Sequence, residues 1–244
     1  MQSRLDLYLS ENKIVKSRSV AAKMIKEGKI SVNGKVCTKS SFMISETDKI
    51  EVTGDMPKYV GRGGLKLEKA IDFFNIDLKG KICIDIGAST GGFTDCMLQN
   101  SAEKVYAVDV GSDQLDEKLK ADNRVVSMEK TDIRNITDEI PSAEFISIDV
   151  SFISLKLVLP SAYRLLCNDG SLVALIKPQF EAGKGNLNKK GIVKDEKVRR
   201  KVCEDIKEFA SSCGFYIIGL TESPISGGDG NIEYLIYIKK GENR

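Results

Sequence analysis

The feature that most constrains this chain is a regular alternation that begins near Lys81. Short apolar runs at 81–86, 104–109, 124–128, 144–149 and 171–177 are separated by helical stretches near 91–100, 114–121 and 154–167. Strands joined through helices of that length lie parallel in one sheet, and the helices then cover its two faces. A helix over 194–213 follows. After it come two further apolar runs, Phe215–Leu220 and Tyr234–Ile238, joined by a glycine-rich loop too short for a crossover helix. These last two strands are expected to pair antiparallel, where a dinucleotide-binding sheet would continue in parallel. The expected class is α/β, a seven-stranded Rossmann-like sheet preceded by a smaller domain.

Open parallel sheets bind ligands at the carboxyl ends of their strands. The first such end here is Asp85-Ile-Gly-Ala-Ser-Thr-Gly-Gly-Phe93, directly after the apolar Ile82-Cys-Ile84. Glycines at 87, 91 and 92 allow close approach of backbone to ligand, and Ser89 or Thr90 can cap the helix that starts near Gly91. The pattern is neither GxGxxG nor a P-loop, which would end in Gly-Lys-Ser/Thr. Asp-x-Gly-x-x-x-Gly-Gly is instead a form associated with S-adenosylmethionine (SAM), whose amino-acid end needs a carboxylate and backbone groups. Asp85, Gly87, Ser89, Thr90, Gly91, Gly92 and Phe93 are therefore candidate cofactor residues. Asp109, in Ala-Val-Asp, is placed for ribose hydroxyls and Asp132 for an adenine amino group. A strand-turn-helix corner would explain the glycines alone, and a capping role any single aspartate. Four acidic residues at or just beyond strand ends, Asp85, Asp109, Asp132 and Asp149, are harder to dismiss together.

The fifth strand ends Leu175-Ile-Lys-Pro178, so Lys177 opens onto the same crevice with Asp149 as its natural ion-pair partner. The chain has no histidine, which excludes a His-based triad and leaves proton transfer near neutral pH to carboxylate, lysine, cysteine or tyrosine. Its six cysteines show no CxxC spacing, so reduced thiols are expected and no metal site. No apolar stretch approaches the roughly 20 residues that span a bilayer, and the first residues lack a signal-peptide core; a cytoplasmic location is the expectation.

Charge is unevenly distributed. Residues 1–58 carry eleven Lys/Arg against seven Asp/Glu, net +4, within a chain of net +2. The boundary is expected near 55–62, giving domains at 1–58 and 59–244. Two short helices, from Arg4 and from Ser17 to Glu27, lead into a hairpin turning at Asn33-Gly34 and a strand at Lys49–Thr53. Arg4, Lys13, Lys16, Arg18, Lys23 and Lys26 lie on or beside those helices, where they can meet phosphates.

The pattern R-L-D-x-x-L…S-R-x-x-A-x-x-x-I-x-x-G-x-x-x-V-N-G over residues 2–54 resembles the small RNA-binding module of ribosomal protein S-four. Across nearly its full length the chain is similar to the haemolysin A-type (TlyA) family, whose catalytic domain resembles the FtsJ-like ribose 2′-O-methyltransferases. The segments that carry this likeness are Arg62-Gly-Gly-Leu-Lys66, Asp85–Phe93, Asp149-Val-Ser-Phe152, Ile176-Lys-Pro-Gln-Phe180 and Gly230-Asn-Ile-Glu233. Gly61 departs from the serine expected before Arg-Gly-Gly. The resemblance implies a seven-stranded SAM-dependent methyltransferase sheet, a Lys-Asp-Lys-Glu tetrad at Lys66, Asp149, Lys177 and Glu233, SAM as methyl donor without a metal, and cytidines of 16S or 23S rRNA as acceptor. Two other readings come with it: a membrane-lytic haemolysin, which no apolar segment supports, and a non-catalytic ribosome-binding or assembly factor, against which the intact loop and tetrad argue. A pseudouridine synthase has no use for such a loop. Neither the oligomeric state nor the target nucleotide is readable from the residues.

Overall fold

The computed structural model describes residues 2–15, 17–53, 57–136, 139–227 and 230–241. The chain divides into two compact units, residues 1–58 and 59–244.

The first unit runs β1 (Ser3–Arg4), α1 (Leu5–Glu11), α2 (Arg18–Lys26), β2 (Ile30–Val32), β3 (Lys35–Val36), β4 (Met43–Ile44) and β5 (Ile50–Val52). Ser17 caps α2 by accepting a hydrogen bond from the Val20 N–H at 3.3 Å. That helix turns Ala21, Met24 and Ile25 into a core shared with Leu5, Leu9, Ile30 and Ile44. Asn33 and Gly34 both have positive φ, 51° and 75°, the signature of a type I′ turn that lets β2 and β3 pair antiparallel. The pairing of β1 with β4 was not foreseen, because two-residue strands leave no periodicity to read.

The second unit contains α3 (Gly63–Phe74), β6 (Ile82–Ile86), α4 (Gly92–Gln99), β7 (Lys104–Val108), α5 (Glu117–Lys120), β8 (Val125–Met128), β9 (Ala143–Ile148), α6 (Leu159–Leu165), β10 (Leu166–Ile176), α7 (Pro178–Glu181), α8 (Glu196–Ser212), β11 (Phe215–Glu222) and β12 (Tyr234–Lys240). Its seven-stranded sheet has the order β11-β12-β10-β9-β6-β7-β8. Strands β6 to β10 pair in parallel, and β12 lies antiparallel between β10 and β11. Alternation along each strand separates two cores: Ile84, Ile146 and Leu172 pack with α6 and α8 on one face, while their neighbours Cys83, Phe145 and Val173 pack with α3 and α4 on the other. All six cysteines are free.

One helix and two element boundaries differ from what the sequence leads one to expect. Helix α3 was not anticipated, because its Arg-Gly-Gly start reads as a breaker; Leu67, Ala70, Ile71 and Phe74 carry the helical spacing that could have identified it. The helix expected over 154–167 is a 3₁₀ turn at Leu155–Leu157 followed by α6, and β10 starts at Leu166 with a register shift before Ser171. Helix α5 is a single turn capped by Asp116, shorter than the expected 114–121.

Helix α3 can sit where it does because Gly64 lies against a buried aromatic ring: a Cβ there would come within 2.3 Å of Tyr59 Cγ. Gly64→Ala is expected to destabilise the protein by about 1–3 kcal/mol through overpacking, read by chemical denaturation. Gly80→Ala, with no atom within 4 Å of the added methyl, is expected to cost only its backbone strain, about 1 kcal/mol.

Candidate active site

The carboxyl ends of β6, β7 and β9 surround two cavities with a common wall. One, of about 440 Å³, is lined by Gly87, Ser89, Asp109, Val110, Asp132, Asp149 and Phe152, among others; the second, of about 200 Å³, by Arg62, Gly63, Ser89, Thr90, Gly92, Phe93, Asp149, Ser151 and Lys177, among others. Gly87 (φ 84°) is required at their junction, since a Cβ would lie 2.5 Å from the Asp149 carbonyl oxygen. Gly91 also has a positive φ, 91°, and its missing side chain leaves room for Leu115 and Leu119.

Asp109 braces the rim. Its Oδ2 accepts from the Ser89 N–H at 2.8 Å and its Oδ1 from the Gly111 N–H at 2.7 Å, which fixes the carboxylate at the mouth of the larger cavity. Asp132 reaches the same cavity with its charge already engaged by Arg134 at 2.6 Å, and the hydrogen bonds from Arg134 hold its carboxyl below the usual range. Apolar Val110 and Ile133 complete a wall suited to a purine, and the glycine-lined second cavity to a short charged chain. The residues present fit SAM in both shape and donor set.

Asp85 does not reach either cavity. It is fully buried, accepting from Thr94 Oγ1 at 2.7 Å and from Ser147 Oγ at 2.9 Å. The expectation that its carboxylate meets the cofactor directly is therefore corrected: its carboxylate is taken up by α4 and β9, tying the corner behind the glycine loop. Burial pushes its pKa up to about 6, against the pull of the Thr94 and Ser147 hydrogen bonds, with the negative charge of Asp149 adding to the rise.

The four tetrad candidates form two ion pairs. Lys177 Nζ lies 2.6 Å from Asp149 Oδ1, at angles outside hydrogen-bond geometry, and donates to Ser151 Oγ at 2.9 Å. Lys66 Nζ donates to Glu233 Oε2 at 2.6 Å, with the residues only 8% and 2% exposed. Lys66 stands one turn along α3 from Gly63, which lines the second cavity. Glu233 is set by a tight return in which the Ser223 N–H donates to the Glu233 carbonyl at 2.9 Å. Neither Lys66 nor Glu233 is among the residues lining these two cavities.

Several residues of the site escaped the sequence reading. Arg62 lines the second cavity with an exposed guanidinium, next to the glycine loop. Ser151 is Lys177's hydrogen-bond acceptor. Phe152 is 92% exposed with φ 64°, its ring 5.1 Å from that of Phe180. A bulky residue held in the left-handed region and turned to solvent beside a cavity is a strained, functional-looking position; only its place after Asp149 could have drawn attention to it.

In the first unit, Asp6 draws Arg4 and Arg18 together, at 3.0 and 2.9 Å. Hydrogen bonds from Arg4, with Arg18 adding to them, pull the nearly buried Asp6 carboxyl down to about 2. Part of each guanidinium is thus spent within the protein. Lys13 and Lys26 are exposed and Lys23 half-buried; Lys16 lies outside the described residues.

The elevated Asp85 pKa has a testable sign. A folded-state value near 6, above the ordinary 3.8, means that the folded protein holds an extra proton between these values. Stability is therefore expected to fall by about 3 kcal/mol as pH rises from about 4 to above 6. Denaturant unfolding of wild type and Asp85→Asn at pH 5 and 7.5 should show wild type gaining on the variant at the lower pH; parallel behaviour would contradict a buried, titrating carboxylate.

Comparison with known proteins agrees with this geometry. Residues 59–240 match the model of the FtsJ-like methyltransferases and residues 3–50 that of the S4 domain. Hemolysin A of Brachyspira hyodysenteriae is 47% identical over 96% of this chain and 98% of its own length. The 16S/23S rRNA (cytidine-2′-O)-methyltransferase TlyA of Mycobacterium tuberculosis is 36% identical, covering 100% of this chain and 92% of its own. A solved structure from Streptococcus thermophilus, provisionally named a hemolysin, superposes with a TM-score of 0.78 at 43% identity, covering 99% of this chain and 89% of that one. A SAM-dependent methyltransferase sheet preceded by an S4 domain accounts for both units, and the chain belongs to the FtsJ-like methyltransferase family.

Proposed function

We propose that the protein transfers a methyl group from SAM to a ribose 2′-oxygen of rRNA, at cytidines of 16S or 23S rRNA, in the cytoplasm. The observation that carries this reading is the Lys177–Asp149 ion pair on the wall of the glycine-lined cavity, with a second lysine–carboxylate pair at Lys66 and Glu233. Relatives named for cytidine-2′-O methylation of rRNA support the acceptor class.

Bound SAM supplies an electrophilic sulfonium methyl. The protein's part is to bring a 2′-hydroxyl in line with it and to manage the proton. In this reading Lys177, facing one carboxylate oxygen and one hydroxyl, acts as the cation that holds the ribose oxygen and balances the negative charge growing on it. The 2′-proton passes to Asp149 as the ribose oxygen takes the methyl carbon and the carbon–sulfur bond breaks, leaving a neutral thioether. Lys66 and Glu233 fix the far side of the acceptor site. Holding the reactants in attack geometry is worth on the order of 7–11 kcal/mol and is the larger share of the acceleration.

The acceptor is recognised in two places. Arg4, Lys13, Arg18, Lys23 and Lys26 of the S4 domain contact phosphates, with Asp6 orienting the two arginines. The exposed ring of Phe152 offers a stacking face for a nucleotide turned out of its helix, an interaction worth about 1–3 kcal/mol. The word hemolysin in some relatives' names is not carried by the site, and among the described residues no helix is long and apolar enough to cross a membrane.

The test is transfer of labelled methyl from SAM to ribosomal subunits or rRNA lacking the modification, followed by mapping of 2′-O-methylation. Wild type is expected to label one or a few cytidines. Lys177→Ala is expected to lower kcat by about 10²–10³-fold with RNA and SAM affinities little changed. Lys177→Arg, which keeps the charge but cannot act as a base, is expected to retain measurable transfer; complete loss in this variant would favour a neutral, proton-accepting lysine. Phe152→Ala should raise KM for RNA more than it lowers kcat.

A further inference from the structure

The densest positive charge in the chain lies outside the S4 domain. Between Ala182 and Lys201 there are eight Lys/Arg and two Asp/Glu, a net +6 in twenty residues, whereas the whole chain is +2 and residues 1–58 are +4. Lys184, Lys189, Lys190, Lys194 and Lys197 are all exposed. Among the described residues none of the five has a carboxylate within ion-pair distance. Nearby acids are already committed: Glu181 accepts from Ser154 and Leu155, Asp195 caps α8, and Glu196 pairs with Arg200.

This segment is a braced strap. Asn188 Oδ1 accepts from the N–H groups of Lys190 and Ile192 at 2.8 and 3.0 Å. Arg199 donates to the carbonyls of Val193 and Lys194 at 3.1 and 2.6 Å, so that arginine serves the scaffold and the lysines remain free. The buried Asn231, 1% exposed, receives the Val193 N–H at 3.1 Å and donates to the Gly191 carbonyl at 3.1 Å. The strap therefore leaves the sheet just after Lys177 and is fastened two residues before Glu233. It hangs between the two motifs that bring these candidate catalytic residues to the site.

Five uncompensated ammonium groups in fourteen residues repel one another, an arrangement that a partner with closely spaced negative charges relieves. We infer that residues 184–197 form a second phosphate-binding surface, on the catalytic unit itself, for the RNA backbone flanking the acceptor nucleotide. The inference rests on the reading of the protein as an RNA methyltransferase and adds to it a contact independent of the S4 domain.

Filter binding of purified 16S and 23S rRNA across a KCl series, without SAM, tests it in the full-length protein. The triple variant Lys189→Ala, Lys190→Ala, Lys194→Ala is compared with Lys79→Ala, Lys81→Ala, Lys104→Ala, which removes the same charge near the amino ends of β6 and β7, the opposite edge of the sheet. The strap variant is expected to bind at least about tenfold more weakly near 0.1 M KCl and to lose about two units from the slope of log K against log[KCl]; the control is expected to change by less than about twofold. Equal effects from both triples, or no effect from the strap, would overturn the inference. A loss on intact subunits but not on protein-free rRNA would overturn it too, in favour of a ribosomal protein as partner. Wild type that binds rRNA through the strap but transfers no methyl would uphold this inference while removing the proposed reaction.

Discussion

A lysine and a glutamate 167 residues apart meet at 2.6 Å in the interior of the catalytic unit, and the arrangement of the site depends on that contact. Lys66 comes from the first helix of the unit and Glu233 from the residue preceding its last strand, so the pair ties the beginning of the fold to its end. Burying two charges costs several kcal/mol per ion, and their mutual attraction repays this only with good geometry. An apolar pair would hold the same helix against the same strand at lower cost. Stability alone therefore does not explain the retention of charge here; in the proposed reaction, Lys66 and Glu233 act beside Lys177 and Asp149.

The rest of the site follows from the sheet. Parallel strands β6, β7 and β9 end side by side, and the turns leaving them deliver Asp109, Asp149 and the glycine loop to one crevice. Asp85 works beneath that surface, where Thr94 and Ser147 clamp a carboxylate that burial would otherwise leave protonated far into neutral pH. The antiparallel β12 returns Glu233 to the same end of the sheet, which a purely parallel continuation would not do so directly.

Much of this was legible in the residues. Apolar alternation gave the sheet, and the loss of helix spacing between the last two strands gave their antiparallel pairing. Lys177 and Asp149 stood out as charges at strand ends; Lys66 and Glu233 did not, and were reached only through family resemblance, because ordinary-looking lysines and glutamates carry no sign of burial. The inward turn of Asp85 was hidden, since motif spacing fixes where a backbone goes and not which way a side chain faces. Phe152 was hidden for a related reason: its exposure and positive φ are properties of the fold. The charge of the 184–197 loop was visible throughout, but the role of Asn231 in fastening it appeared only when distant backbone groups were seen to converge.

Stability and chemistry can be separated at the buried Lys66–Glu233 pair. The double variant Lys66→Met, Glu233→Leu removes both charges together, and its thermal unfolding and single-turnover methyl transfer to rRNA are measured beside wild type. The variant is expected to melt within a few degrees of wild type or above it, with transfer lowered at least about 100-fold. Transfer that survives without the pair would contradict its proposed role, because the charges would then be structural features with no part in the reaction.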